Sequence, residues 1–152
     1  MANLVINRAK GKIAEKLANF TTGIQVIPLS AIGTDEAARD AGSGDGDCTI
    51  TTFLTDASAT EQTGSTWTRK SIANASITVT VDETNNLVKA VIPDQTWTAV
   101  AAANNVVALI IAQDDGTDAT DVVLTKHDFS VTTDGNDVTA DFDATNGFWQ
   151  AS

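Results

Sequence analysis

One histidine, one cysteine and twenty carboxylates are the side chains from which this 152-residue chain would have to build catalysis or metal binding. A Ser-His-Asp system would have to use His127, with Asp128 or Asp121 as its partner. No G-x-S-x-G elbow accompanies it, and Ser130 falls in the same strand candidate rather than at a strained turn. Zinc takes three or four ligands, typically His and Cys, and the counts fall short. The lone Cys48 excludes an intrachain disulfide. It stands beside Asp45 and Asp47, whose charges would raise its pKa and suppress the thiolate. The inventory reads as that of a protein that is not an enzyme and holds no cofactor.

The carboxylates fall in turns. Asp45-Gly46-Asp47, the run from Asp114 to Asp118 and the run from Asp134 to Asp137 all offer oxygen ligands of the kind calcium takes. None matches D-x-[DN]-x-[DN]-G with an acid at the twelfth position, and Asp and Asn are default turn residues because they cap their own backbone. Carboxylate pairs at glycosidase spacing would arise by chance in so acidic a chain. No Walker A or G-x-G-x-x-G motif supports nucleotide binding. Trp67, Trp97 and Trp149 could stack against sugars, although buried tryptophan is the commoner outcome.

These residues must be positioned by short strands. From Ser76 onward, Ile77, Val79 and Val81 alternate with Ser76, Thr78 and Thr80, the period-two pattern of a sheet with one wet face. Asp82 to Asn86 reads as a turn, with residues 87–92 as the hairpin partner and Pro93 as its stop. Val106 to Ala112 is apolar without alternation, which predicts a central strand covered on both faces. Upstream, residues 24–29 read as a first strand and residues 67–72 as a further strand or edge segment. Strand-length runs bounded by turn residues predict a mainly β fold, an antiparallel β-sandwich or a jelly-roll-like barrel. The 23 threonines suit half-exposed pleats.

Helices are few. Ile13, Leu17 and Phe20 recur at i, i+4 and i+7, with Ile6 and Ala9 extending the stripe, so residues 7–20 read as a helix despite Gly11. Residues 34–40 are helix-compatible, with Thr34 as N-cap. Residues 41–66 read as a Gly/Ser/Thr/Asp-rich loop region containing one strand-like piece, 48–54, in which Ile50 alternates with Thr49 and Thr51. The organisation is then a basic N-terminal arm, 1–22, and one acidic β domain, 23–152.

Charge separates the two parts. The net charge is −11. Arg8, Lys10, Lys12 and Lys16 face only Glu15 in residues 1–20, a balance of +3, while residues 21–152 set five basic residues against nineteen acids, a balance of −14. An acidic body repels phosphate backbones, so nucleic acid is not the expected partner. No apolar run approaches the roughly 20 residues of a membrane-spanning helix, and charged residues follow Leu4-Val5-Ile6 too closely for a signal peptide. The expectation is a soluble protein without a standard export signal.

Three strings carry a resemblance: residues 92–98 (IPDQTWT), 124–129 (LTKHDF) and 131–140 (VTTDGNDVTA), closed by Gly147-Phe148-Trp149. With the opening residues 4–12, they resemble a family of small tailed-bacteriophage virion proteins encoded near the major capsid protein. The match covers about residues 1–20 and 90–149. Residues 40–75 depart from it, and Phe148-Trp149-Gln150 lacks the usual basic ending. The resemblance implies a capsid decoration, or cement, protein that is made in the bacterial cytoplasm and binds the outside of the major capsid protein shell, often as a homotrimer. In that reading Arg8, Lys10, Lys12 and Lys16 are electrostatic anchors on the shell, and Leu4, Ile6 and Ile13 are apolar ones. A head–tail or tail component shares the resemblance. A carbohydrate-binding β-sandwich module would share the fold and the tryptophans.

Overall fold

The computed structural model describes residues 23–33, 48–56, 58–85, 87–142, 144–145 and 147–151. Among the described residues, ten strands form three antiparallel sheets. The largest has β2 (Thr60–Glu61), β1 (Ile24–Ala31), β7 (Val106–Gln113) and β8 (Val123–Val131) in that order, and β3 (Lys70–Ile72) also pairs with β1. A second sheet runs β10 (Trp149–Ala151), β5 (Leu87–Val91), β4 (Thr78–Asp82). The third is the pair β6 (Gln95–Trp97) and β9 (Val138–Ala140). The fold is mainly β and sandwich-like, with one apolar cluster drawing on all three sheets.

The two long central strands explain that arrangement. In β1 and β7 the apolar side chains alternate between faces, as the pleat requires, but both faces are covered. Ile24, Val26, Leu109 and Ile111 point into the cluster shared with Trp67, Trp97 and Phe148. Ile27, Leu29, Ala108, Ile110 and Ala112 point the other way, onto Ile50 and Phe53 of helix α1 (Ile50–Asp56). Full burial of each such aliphatic side chain contributes roughly 1.5–3 kcal/mol. From Ala108 to Ala112 the apolar run of β7 is therefore buried on both sides, as its sequence predicts, while Val107 near its start is exposed.

Pro28 lies inside β1, where a missing N–H should be costly. The register removes the cost. β1 pairs with β3 through Ile24–Val26 and with β2 from Leu29 onward, and Pro28 falls between the two partners. Its carbonyl accepts from Gln62 N at 2.8 Å, so its nitrogen faces that same interrupted edge and leaves the β7 ladder whole.

The strand expected at residues 48–54 is instead helical. Ile50, Phe53 and Leu54 follow i, i+3, i+4 spacing, which seats Ile50 and Phe53 in the sheet and Leu54 against it. Thr49 caps the helix, its Oγ1 accepting from Thr52 N at 3.2 Å and its carbonyl from Phe53 N at 2.8 Å. Burial and a cap outweigh the low helix propensity of its β-branched threonines. Residues 48–66 are thus not all loop, since they hold α1 and β2. Within residues 67–72, pairing is confined to β3. The expected β4–β5 hairpin forms and β5 ends before Pro93, while Val81, near the turn end of the edge strand β4, is 47 % exposed. The helices expected at 7–20 and 34–40 lie outside the described residues.

Candidate functional site

Three polar segments converge on Arg69, a residue that spacing in the sequence did not single out. Its guanidinium donates twice to Glu61 (Nε to Oε1, 2.8 Å; Nη2 to Oε2, 2.6 Å) and twice to Asp118 (Nη1 to Oδ1, 2.5 Å; Nη2 to Oδ2, 2.8 Å). It also reaches Gln25 Oε1 at 3.3 Å. Fork-to-fork pairing of this kind is the strongest geometry available to a side-chain ion pair. It raises the pKa of Arg69, chiefly through Glu61 and then Asp118, and holds the Asp118 carboxyl below its ordinary value.

Behind Arg69 the network enters the protein. Gln25 is buried on β1 and donates from Nε2 to Asp121 Oδ2 and to the Gln113 carbonyl, both at 3.1 Å. Asp121 is fully buried, and its Oδ1 accepts from Asp115 N at 2.9 Å. Its backbone carbonyl receives Ile50 N, at the start of α1, at 2.9 Å. The arrangement ties the 114–121 loop, β1, the segment before β3 and α1 into one block. A fork of carboxylates closed on an arginine is an anchor for backbone, with no open coordination position for a substrate.

His127 is placed by a hydroxyl and an aromatic ring. Its Nε2 lies 3.0 Å from Thr125 Oγ1, and its ring meets Phe142 edge-on at 6.0 Å. Burial, and then the neighbouring Lys126, push its pKa below the usual histidine value. Asp128 points to solvent and pairs with Lys126 at 2.8 Å, and Asp121 is occupied by Gln25 and Asp115. Among the described residues, neither Asp121 nor Asp128 pairs with His127.

The turn carboxylates are engaged locally. Asp82 accepts from Thr84 N and Asn85 N at 3.0 Å, and Asp134 accepts from Asn136 N at 3.1 Å. Asp137 holds Ala99 N at 2.8 Å, and Asp94 holds Phe142 N at 2.9 Å. Among the described residues, no group of three or more His, Cys, Asp or Glu side chains is placed to hold a metal ion. An open groove rimmed by Ser76, Thr78, Asp94 and Asp141 has Ile92 and Phe142 in its floor.

The tryptophans form no exposed platform. Trp67 and Trp97 are 2 % and 1 % exposed, with ring centroids 4.8 Å apart and planes inclined at 53°. Their indole N–H groups donate to Asn104 O (2.7 Å) and Thr68 O (2.8 Å), so each buried ring has its polar handle satisfied. Trp149 is half-buried against the same cluster. Cys48 is half-buried, its carbonyl accepting from Val123 N at 2.8 Å.

Leu4, Ile6, Arg8, Lys10, Lys12, Ile13 and Lys16, the contact residues expected in the N-terminal arm, lie outside the described residues. No helix among the described residues is long and apolar enough to cross a membrane. No protein family model, curated protein or solved structure matches the chain.

Proposed function

We propose that the chain is a structural protein of a tailed-bacteriophage virion, a decoration or cement protein bound to the outer surface of the major capsid protein shell. The reading rests on the sequence resemblance together with one observation, the opposed charges of the basic first twenty residues and the acidic body. A wired β body with its carboxylates engaged in its own turns suits a non-enzymatic module that must stay folded on a particle surface. In this reading Arg8, Lys10, Lys12 and Lys16 meet acidic groups on the shell, while Leu4, Ile6 and Ile13 cover apolar ones. The body faces solvent, copies associate as trimers, and nucleic acid and membrane play no part. The head is stabilised because each bound copy bridges neighbouring capsid subunits.

The test is sedimentation of the protein with expanded capsids, using the full chain and a variant lacking residues 1–20. Binding of the full chain should weaken sharply toward 1 M salt, where the screening length falls to about 3 Å. The truncated variant should not bind. Retained, salt-insensitive binding by the truncated variant would remove the arm from the interface. Copy number in purified virions separates decoration, which follows the capsid lattice, from a head–tail or tail component confined to one vertex. Burial of Trp67 and Trp97 withdraws two of the three tryptophans on which the carbohydrate-binding alternative would stack sugars.

A further inference from the structure

Two Asp–Gly pairs among the described residues, Asp115-Gly116 and Asp134-Gly135, carry the same spontaneous chemistry. In each, the glycine amide nitrogen can attack the protonated aspartate carboxyl. A C–N bond forms at Cγ, water leaves, and a five-membered succinimide results. Addition of water to that ring returns aspartate or, when the Cα-side carbonyl bond opens, isoaspartate. No oxidant, reductant or enzyme is needed. Glycine permits the step because no Cβ hinders the nitrogen or the ring.

Exposure does not distinguish the two pairs, since all four residues face solvent. Hydrogen bonding does. Gly135 N donates to Val100 O at 2.9 Å, and Val100 N returns a bond to Asn136 O at 3.0 Å. Both Asp134 oxygens are held, Oδ1 by Asn136 N at 3.1 Å and Oδ2 by Asn136 Nδ2 at 2.9 Å. Attack at Asp134 therefore requires several bonds to open first. The Gly116 N–H has no hydrogen-bond partner among the described residues. Gly116 and Gly135 hold φ +90° and +102°, each with open space where a Cβ would stand, so the hydrogen bonding of their nitrogens is what separates them. Asp115 Oδ2 accepts from the Gln113 side-chain amide at the surface.

We infer that Asp115-Gly116 is a site of spontaneous isoaspartate formation in the native protein and that the fold shields Asp134-Gly135 from the same reaction. The consequence falls on the Arg69 block. Isoaspartate inserts a methylene into the main chain just after Asp115, whose amide N caps buried Asp121, and just before Asp118, which holds Arg69.

The full-length native protein is incubated at mildly acidic pH, then digested with trypsin. Cleavage after Lys89 and Lys126 puts Asp115 and Asp134 on separate peptides, 90–126 and 127–152. Isoaspartate is located by fragmentation and by uptake of heavy oxygen from labelled water. The same two peptides, free in solution, give the unprotected rates. The native protein should convert at 115 faster than at 134 by roughly tenfold or more, the factor implied by opening two or three hydrogen bonds beforehand. The free peptides should differ far less, and D115E should abolish the signal in peptide 90–126. Equal native rates, a faster rate at 134, or no conversion at 115 while its free peptide converts would each overturn the assignment.

Discussion

At the scale of single residues, two titrations set the expected pH response. The His127 imidazole titrates below its ordinary value of 6.5 because burial, and then Lys126, oppose its charge. As pH falls, the unfolded chain takes up that proton first. The stability His127 contributes is complete above about pH 6.5 and declines as the pH drops through the folded-state value. Replacing it by Gln should flatten that part of a stability–pH profile, measured by urea midpoints. Asp118 behaves in the same direction at lower pH, because Arg69 holds its carboxyl down. The stability it contributes is present above the ordinary carboxylate range and is lost as acid protonates the folded carboxyl. Arg69→Met should cost roughly 1–3 kcal/mol at neutral pH, reduced from fully buried values because the arginine side chain is 27 % exposed, and the deficit should shrink in acid. Asp121→Ala should cost about 1–3 kcal/mol, since it removes the buried carboxylate that accepts from Gln25 Nε2 and the Asp115 N–H.

At the scale of elements, α1 and the loop after β6 are the informative pieces. Thr49→Ala should destabilise by about 1 kcal/mol, because it removes the side-chain acceptor for Thr52 N. The 98–105 loop carries Ala99 and Ala103 at φ +49° and +64°, held there by Asp137, Ser65 and Thr133. Left-handed alanine costs roughly 1–2 kcal/mol. Glycine at either position should therefore match or slightly exceed wild-type stability in thermal melts, despite its looser unfolded chain. The element-scale reading of the sequence is correct where one local pattern dominates. β7 reads as a doubly covered strand from its unbroken apolar run, and β4–β5 reads as a hairpin from its alternation and acidic turn. It fails at 48–54, where Thr-Ile-Thr-Thr-Phe-Leu fits either period. The choice came from the sheet face that Ile50 and Phe53 had to cover.

At the scale of the whole molecule, burial and charge divide the labour. The core around Trp67 and Trp97 should give blue-shifted tryptophan fluorescence that iodide barely quenches, apart from the contribution of half-buried Trp149. Strong iodide quenching throughout would contradict the packing. The acidic body repels other polyanions and similar copies at long range. Proposed docking through the basic arm is consistent with that repulsion, because contact is then confined to the one segment of opposite sign.

The sequence by itself determined the class of fold, the strands whose apolar period is unambiguous, the charge division between arm and body, and the poverty of catalytic groups. Those are properties of composition and local spacing. Tertiary structure alone decided that residues 50–56 coil, that Pro28 sits harmlessly between two partner strands, and that the tryptophans turn inward. It also made Arg69, Gln25, Asp118 and Asp121 one network, although they stand up to 96 residues apart in the chain. Which carboxylate meets which donor, and which Asp–Gly nitrogen is left unbonded, depends on contacts between distant segments, and local pattern carries no record of them.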